Sequence, residues 1–209
     1  MNKKIGLLTS KNLAVVVILA ALALFTGVGT AAAATAVPGE YAFSGRVNYI
    51  LTPFGFDPIT LVPNNPSSVT SNSINCQGIF TFKPDRTGRF DSTGVLLVLP
   101  PQTSPQIPHA NAFTWSFTFT YDVTDDDTIT INADNNTFHV TFVTGPGAGV
   151  WFEADKYSLS GMVSADRNTM TLGSPTTFIQ TLTFHPGPVL QGIPNSSYVL
   201  TRLCQGEGG

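Results

Sequence analysis

The chain has 209 residues, of which 42% are hydrophobic and 11% charged, with a formal net charge of −3 at pH 7. That balance gives no basic footprint for nucleic acid or anionic lipid. The length left after the N-terminal segment, about 170 residues, fits one domain with a single core.

Lys3, Lys4 and Lys11 form a basic start, followed by an uncharged apolar run from Leu13 to Phe25 that is short for a membrane span. Small residues follow, and Ala34-Thr35-Ala36 offers an Ala-x-Ala cleavage site before Val37, with Ala32-Ala33-Ala34 as an equally legal frame. This pattern predicts a secretory signal peptide over residues 1–36, a β-domain over 37–209, and a secreted or periplasmic product. No cysteine follows the apolar run, so lipid attachment at a new N-terminal cysteine is not supported. Removing the three lysines leaves seven basic and thirteen acidic groups, a net charge of −6.

From there to the end the chain reads as strands, and nothing has the period or length of an amphipathic helix. In order, the segments are Glu40 to Leu51, Gln77 to Lys83, Arg89 to Leu99, Ala112 to Thr124, Thr128 to Asn132, Thr137 to Thr144, Val150 to Glu153, Tyr157 to Ser164, Thr169 to Leu172, Thr177 to His185 and Ser197 to Leu203. Allowing for merging, roughly eight to ten strands are expected. The fourth is the clearest: Phe113, Trp115, Phe117, Phe119, Tyr121 and Val123 alternate with threonines, Ser116 and Asp122, which is a strand buried on one face.

Short turns such as Pro84 to Gly88 and Asp125-Asp126-Asp127 make sequence neighbours spatial neighbours, so the natural topology is an antiparallel meander. A meander hides its edges by closing into a barrel or by folding into two packed sheets. The aromatic load on one face of successive strands, and glycines at 45, 78, 94 and 161 where a sheet can bend, favour an up-and-down β-barrel. Two Pro-rich connections, Thr52 to Asn75 and Pro100 to Asn111, have the length of lids or binding loops. Phe54, Phe56, Ile59 and Leu61 give the first of them an apolar side.

Cys76 and Cys204 are the only cysteines and suggest a disulfide in an oxidising compartment. The acidic turn at 125–127 lacks the spacing and glycine of a calcium loop, the three histidines lack ligand spacing, and no nucleophile elbow, phosphate loop or dinucleotide fingerprint occurs. No metal, cofactor or catalytic residue is assigned. The chemistry-bearing feature is the aromatic face, with Tyr41, Phe43, Trp115, Phe117, Phe119, Tyr121, Phe138 and Phe142 as candidate ligand-binding residues: the inside of a small barrel is either filled by side chains or holds one small ligand. Arg46 and Asn48, on the other face of the first strand, are expected in solvent.

The opening Gly39-Glu40-Tyr41-Ala42-Phe43-Ser44-Gly45 strand, the successive hairpins and the closing Leu200-Thr201-Arg202-Leu203-Cys204 resemble small exported bacterial barrels of the lipocalin-like or allene-oxide-cyclase-like type. In lipocalins a Gly-x-Trp opens the first strand and a basic residue near the end packs across it; Tyr41 stands in the Trp place, Arg202 in the basic one, and Gly149-Val150-Trp151 spells the motif only mid-chain. The resemblance implies a closed barrel carrying a small apolar molecule. The alternatives are a cyclase or isomerase on the same barrel, a scaffold without ligand, or an outer-membrane barrel; short strands and the Gly-Glu-Gly-Gly end argue against stable membrane insertion. N-terminal sequencing of the exported protein should start at Val37, or at Thr35 in the second frame; a start at Met1 would remove the signal-peptide assignment.

Overall fold

The computed structural model describes residues 37–101 and 103–203; the segment assigned to export and Cys204 lie outside the described residues. The described chain forms β1 (Gly39–Thr52), β2 (Thr70–Phe82), β3 (Thr87–Leu99), β4 (His109–Val123), β5 (Thr128–Ala133), β6 (His139–Thr144), β7 (Trp151–Ala154), β8 (Ser158–Val163), β9 (Thr169–Gly173), β10 (Gln180–His185) and β11 (Val189–Arg202). All belong to one antiparallel sheet, and β1 pairs with both β2 and β11, so the sheet closes.

The closure has two storeys. β4 pairs with β5 through Phe119–Val123 but with β6 through Ala112–Ser116. β11 pairs with β9 through Ser197–Thr201 but with β10 through Val189–Gly192. Between β4 and β11 the wall therefore splits into β5-β8-β9 at one end and β6-β7-β10 at the other, and each set completes an eight-strand ring with β1, β2, β3, β4 and β11. The simple meander holds from β1 to β5; after that the chain shuttles between the two half-walls.

Eleven strands form where eight to ten were expected, because none of the eleven segments merges. Two of them are longer than their sequence suggests. β2 starts at Thr70, seven residues before the expected Gln77, because Ser71, Asn72, Ser73 and Asn75 have low β propensity and are held by pairing with β1 and β3. β11 starts at Val189 despite Gly192 and Pro194. Pro194 faces Tyr49 of β1 on one side, and on the other it lies in the seam between the last β10 pairing, at Gly192, and the first β9 pairing, at Ser197, where no N–H is required.

The inward residues of β1 to β4 keep the period of two throughout, and Arg46 and Asn48 are exposed as expected. At the β5-β8-β9 end the interior is solid. Phe90 stacks on Phe117 with ring centroids 4.5 Å apart and meets Phe80 at 4.8 Å and Phe43 at 5.0 Å, while Phe82 contacts Phe119 at 5.3 Å. Such offset and edge contacts are worth roughly 0.5–1.5 kcal/mol per pair beyond area burial. The hydroxyls of Tyr41 and Tyr121 reach the turns that cap this end, donating to Arg167 O at 2.9 Å and Lys83 O at 2.7 Å.

The turns themselves share one device. Asp85, Asp126 and Asp166 each accept a hydrogen bond from the backbone N–H two residues on, and the residue between, Arg86, Asp127 or Arg167, takes a positive φ of 59–65°. Hydrogen bonds from the hydroxyls of Thr87, Thr124 and Ser164, and then these backbone bonds, hold the three carboxyls below the usual carboxylate range. The Asp125–Asp127 turn is thus a hairpin connection in which Asp126 is engaged by Thr124 and Thr128, and Asp127 by Arg167 at 2.6 Å.

Room for the rings comes from glycine. A Cβ on Gly45 would lie 2.0 Å from Cδ1 of Tyr198, and one on Gly88 2.2 Å from Cζ of Phe119. Gly45→Ala should cost about 1–3 kcal/mol as overpacking, and combining it with Tyr198→Leu should recover part of the loss; thermal melts of the two single variants and the double variant check this, and additive destabilisation would show that the ring is not the obstacle.

Candidate functional site

At the β6-β7-β10 end the interior is hollow. A cavity of about 230 Å³ lies there, open towards the ends of the strands that lead into the loops at 53–69 and 100–108 and the turns at 145–150 and 186–188. Both Pro-rich connections therefore sit at the mouth. Trp115 and Phe138 lie deepest, Ile74, Leu96, Phe152 and Leu182 form the walls, and Thr70, Val98, His109, Val150 and Leu190 stand at the strand ends.

Of the eight sequence candidates, Trp115, Phe138 and Phe142 line this cavity. Tyr41, Phe43, Phe117, Phe119 and Tyr121 lie in the packed end, where each touches other rings. The lining residues that aromatic content did not point to are the smaller ones opposite β4. Asn72, Ile74, Leu96 and Val98 carry the inward positions of β2 and β3 at the mouth end, where Phe80, Phe82 and Phe90 carry them at the other. A drop in inward side-chain size along β2 and β3 is the signal that marks the hollow.

Polar groups form a belt between the cavity and the packed end, at the seam of the split wall. The Tyr49 hydroxyl donates to Gln180 Oε1 at 2.9 Å, and Gln180 Nε2 donates to Lys156 O. Tyr157 shares hydrogen bonds with Ser196 Oγ at 2.8 Å and Tyr198 Oη at 2.7 Å. Burial raises the pKa of all three tyrosines above the ordinary 10.0, so they remain neutral donors. Burial likewise pushes the Cys76 thiol up to about 12; its Sγ lies 3.7 Å from Gly45 O. Its expected disulfide partner, Cys204, lies outside the described residues.

Within the lining two polar atoms are buried without a partner among the described residues, Asn72 Oδ1 and Trp115 Nε1. Asn111 is satisfied, its Oδ1 accepting from Gly147 N at 2.8 Å. His109 stands at the rim, its Nδ1 3.0 Å from Ile107 O. The other two histidines sandwich Trp151 on the outer surface, with ring centroids 4.7 Å (His139) and 3.9 Å (His185) from the indole. Among the described residues no three His, Cys, Asp or Glu side chains converge to hold a metal ion.

Charge is segregated along the barrel. The turns at the packed end carry Lys83, Asp85, Arg86, Asp125, Asp126, Asp127, Asp166 and Arg167, whereas Asp57 is the only charged residue in the four mouth segments. The mouth carries apolar tips instead: Ile59 is 89% exposed, Ile107 76% and Phe54 59%. Phe56 turns inward and is buried, its N–H donating to Gln191 Oε1 at 3.0 Å, so the first loop is fastened to β11.

At the packed end the Arg202 guanidinium lies 5.8 Å from the Tyr41 ring centre and donates to Pro38 O at 2.6 Å, so the last strand does lay a basic residue across the first. No family model matches the chain, and no curated protein matches it significantly.

The buried phenols fix a pH response. Because the folded state holds protons that the unfolded chain releases near pH 10, stability is intact below that value and falls as pH rises beyond it. Spectrophotometric titration should show Tyr49, Tyr157 and Tyr198 ionising only together with unfolding; reversible ionisation of more than two of the five tyrosines in the folded protein would contradict the belt.

Proposed function

We propose that the protein, once exported, binds a small apolar molecule in the cavity at the β6-β7-β10 end. The observation that carries this reading is the cavity itself: hollow, lined largely by apolar side chains, and open at the end where the two long loops meet. A packed core of this size has few voids larger than a water molecule, and a dry cavity of about 150 Å³ suffices for a benzene-sized guest. A space of about 230 Å³ suits a compact molecule of roughly ten to fifteen heavy atoms. The signal-peptide pattern and the Arg202–Tyr41 contact, which resembles the closing contact of lipocalin-like barrels, support the same reading.

Binding is favoured over isomerisation by the lining. Among the described residues it contains no Asp, Glu, Lys, Arg or Cys, and the Tyr49 phenol is both engaged and held neutral by burial. A proton-moving reaction needs a group poised to exchange protons near the working pH, and besides Tyr49 the one ionisable side chain of the described lining is His109, at the rim. A membrane-spanning role is disfavoured by the outer face of β4, where Thr114, Ser116, Thr118, Thr120 and Asp122 replace the apolar band a lipid-facing strand carries.

Native mass spectrometry on the exported protein, purified without detergent, should show a small adduct that denaturation releases. Val140→Trp, which fills the cavity from β6, should abolish the adduct while the fold persists. An adduct retained by that variant would place the ligand elsewhere, and a protein that stays in solution only with detergent would overturn the reading.

A further inference from the structure

We infer that the cavity selects an apolar molecule bearing one neutral hydrogen-bonding group, an alcohol, phenol or ketone, over a pure hydrocarbon, and that Asn72 is the residue that recognises it. This rests on the cavity being a ligand site. Asn72 is 8% exposed and points inward from β2, flanked across the strands by Tyr49 on β1 and Val98 on β3, both of which also line the cavity. Its carbonyl oxygen has no hydrogen-bond partner among the described residues.

An unpaired buried amide is costly, roughly 1–3 kcal/mol when a partner is missing, and buried polar groups are as a rule satisfied. Neighbouring inward groups do not satisfy it. The Tyr49 hydroxyl is turned to Gln180 at 2.9 Å, and Asn111 is committed to Gly147. A leucine of similar shape at position 72 would complete an apolar wall with Ile74 and Val98; the chain instead places there a group that both donates and accepts. Such a carboxamide pairs with a hydroxyl or a carbonyl, and its neutrality, with no charge in the lining, disfavours carboxylates and amines, which would be desolvated without a counter-charge.

The level of Asn72 along the sheet fixes the orientation. It lies opposite Val98, which in turn faces His109 at the start of β4, whereas Trp115 lies six residues further in on β4. The ligand's polar end sits at the mouth and its apolar body reaches towards Trp115 and Phe138.

Equilibrium dialysis at neutral pH with naphthalene and 2-naphthol, which differ by one hydroxyl, tests this on the mature wild-type protein and on Asn72→Leu. In a purely apolar cavity naphthalene binds more tightly, because the hydroxyl is lost from water without return. The inference predicts that the wild type binds 2-naphthol at least as tightly as naphthalene, and that Asn72→Leu weakens 2-naphthol by roughly tenfold while leaving naphthalene equal or tighter. The variant should fold, since it removes an unsatisfied buried group, and a melting temperature at or above wild type checks that. The wild-type ratio of the two affinities is a test that needs no variant. Naphthalene preferred by the wild type, or 2-naphthol binding unchanged in the folded variant, overturns the role of Asn72 and leaves the cavity reading standing. Binding of neither probe to the wild type overturns the cavity reading and this inference with it.

Discussion

Everything in this molecule depends on β4 and β11 each serving two partners on one side at different heights. A strand of fourteen or fifteen residues can do this only if the short strands beside it end where the next begins, which leaves a seam of unpaired backbone on both β4 and β11. On β4 the seam is closed by Asp134 N, which donates to Thr118 O at 2.9 Å, and by Thr137 Oγ1, which accepts from Thr118 N at 3.2 Å. On β11 it is closed in part by Ser174 Oγ accepting from Ser196 N at 3.0 Å, and Pro194 removes a donor that would have had nowhere to go. Buried backbone groups must be paired, so the seam dictates polar residues at mid-height, and the Tyr49–Gln180 and Tyr157–Ser196–Tyr198 bonds extend that requirement across the interior.

That belt divides one continuous inward face into two unlike halves. β4 presents aromatic rings along nearly its whole length, so the difference arises on the strands opposite it. Where β2 and β3 offer Phe80, Phe82 and Phe90, rings meet rings and the space fills; where they offer Asn72, Ile74, Leu96 and Val98, the same β4 face looks onto shorter side chains and space remains. The packed half supplies the rigidity, since its rings are locked on several neighbours at 4.5–6 Å and its tyrosines are tied to turn carbonyls. A hollow is tolerable beside such a foundation because its loss of packing is not shared by the elements that hold the ring closed.

How much of this is legible in the chain differs by element. The alternation of β4 is unbroken and its side chains large, so its existence, faces and near limits follow from period alone. The first half of β2 and the first half of β11 are illegible for opposite reasons: the former alternates but in serine and asparagine, whose local preferences favour turns, and the latter carries a glycine and a proline whose tolerance depends on a seam that exists only in the closed fold. The candidate site is partly legible. Trp115, Phe138 and Phe142 follow from aromatic content, but the cavity is defined by what faces them, and facing is a property of register. Sequence distance hides it: Asn72 and Trp115 line one space though neither strand reveals the other's level.

The distribution of charge connects fold to binding. The acidic turns that stabilise the packed end through side-chain-to-backbone bonds hold eight of the twelve charged residues that lie between strands, whereas the mouth segments hold one, Asp57, and present Phe54, Ile59 and Ile107 as exposed tips around the opening. An ionised ligand approaching the mouth finds no opposite charge but Asp57 to replace its hydration, and further in it finds only neutral donors and acceptors. On the proposed reading, a neutral, mainly apolar ligand loses little on the same path and regains one hydrogen bond at Asn72. Selection in this barrel, on the same proposed reading, works by exclusion first and recognition second: a mouth whose one charged residue is Asp57 sets the class of molecule, and the unsatisfied Asn72 amide distinguishes members within it.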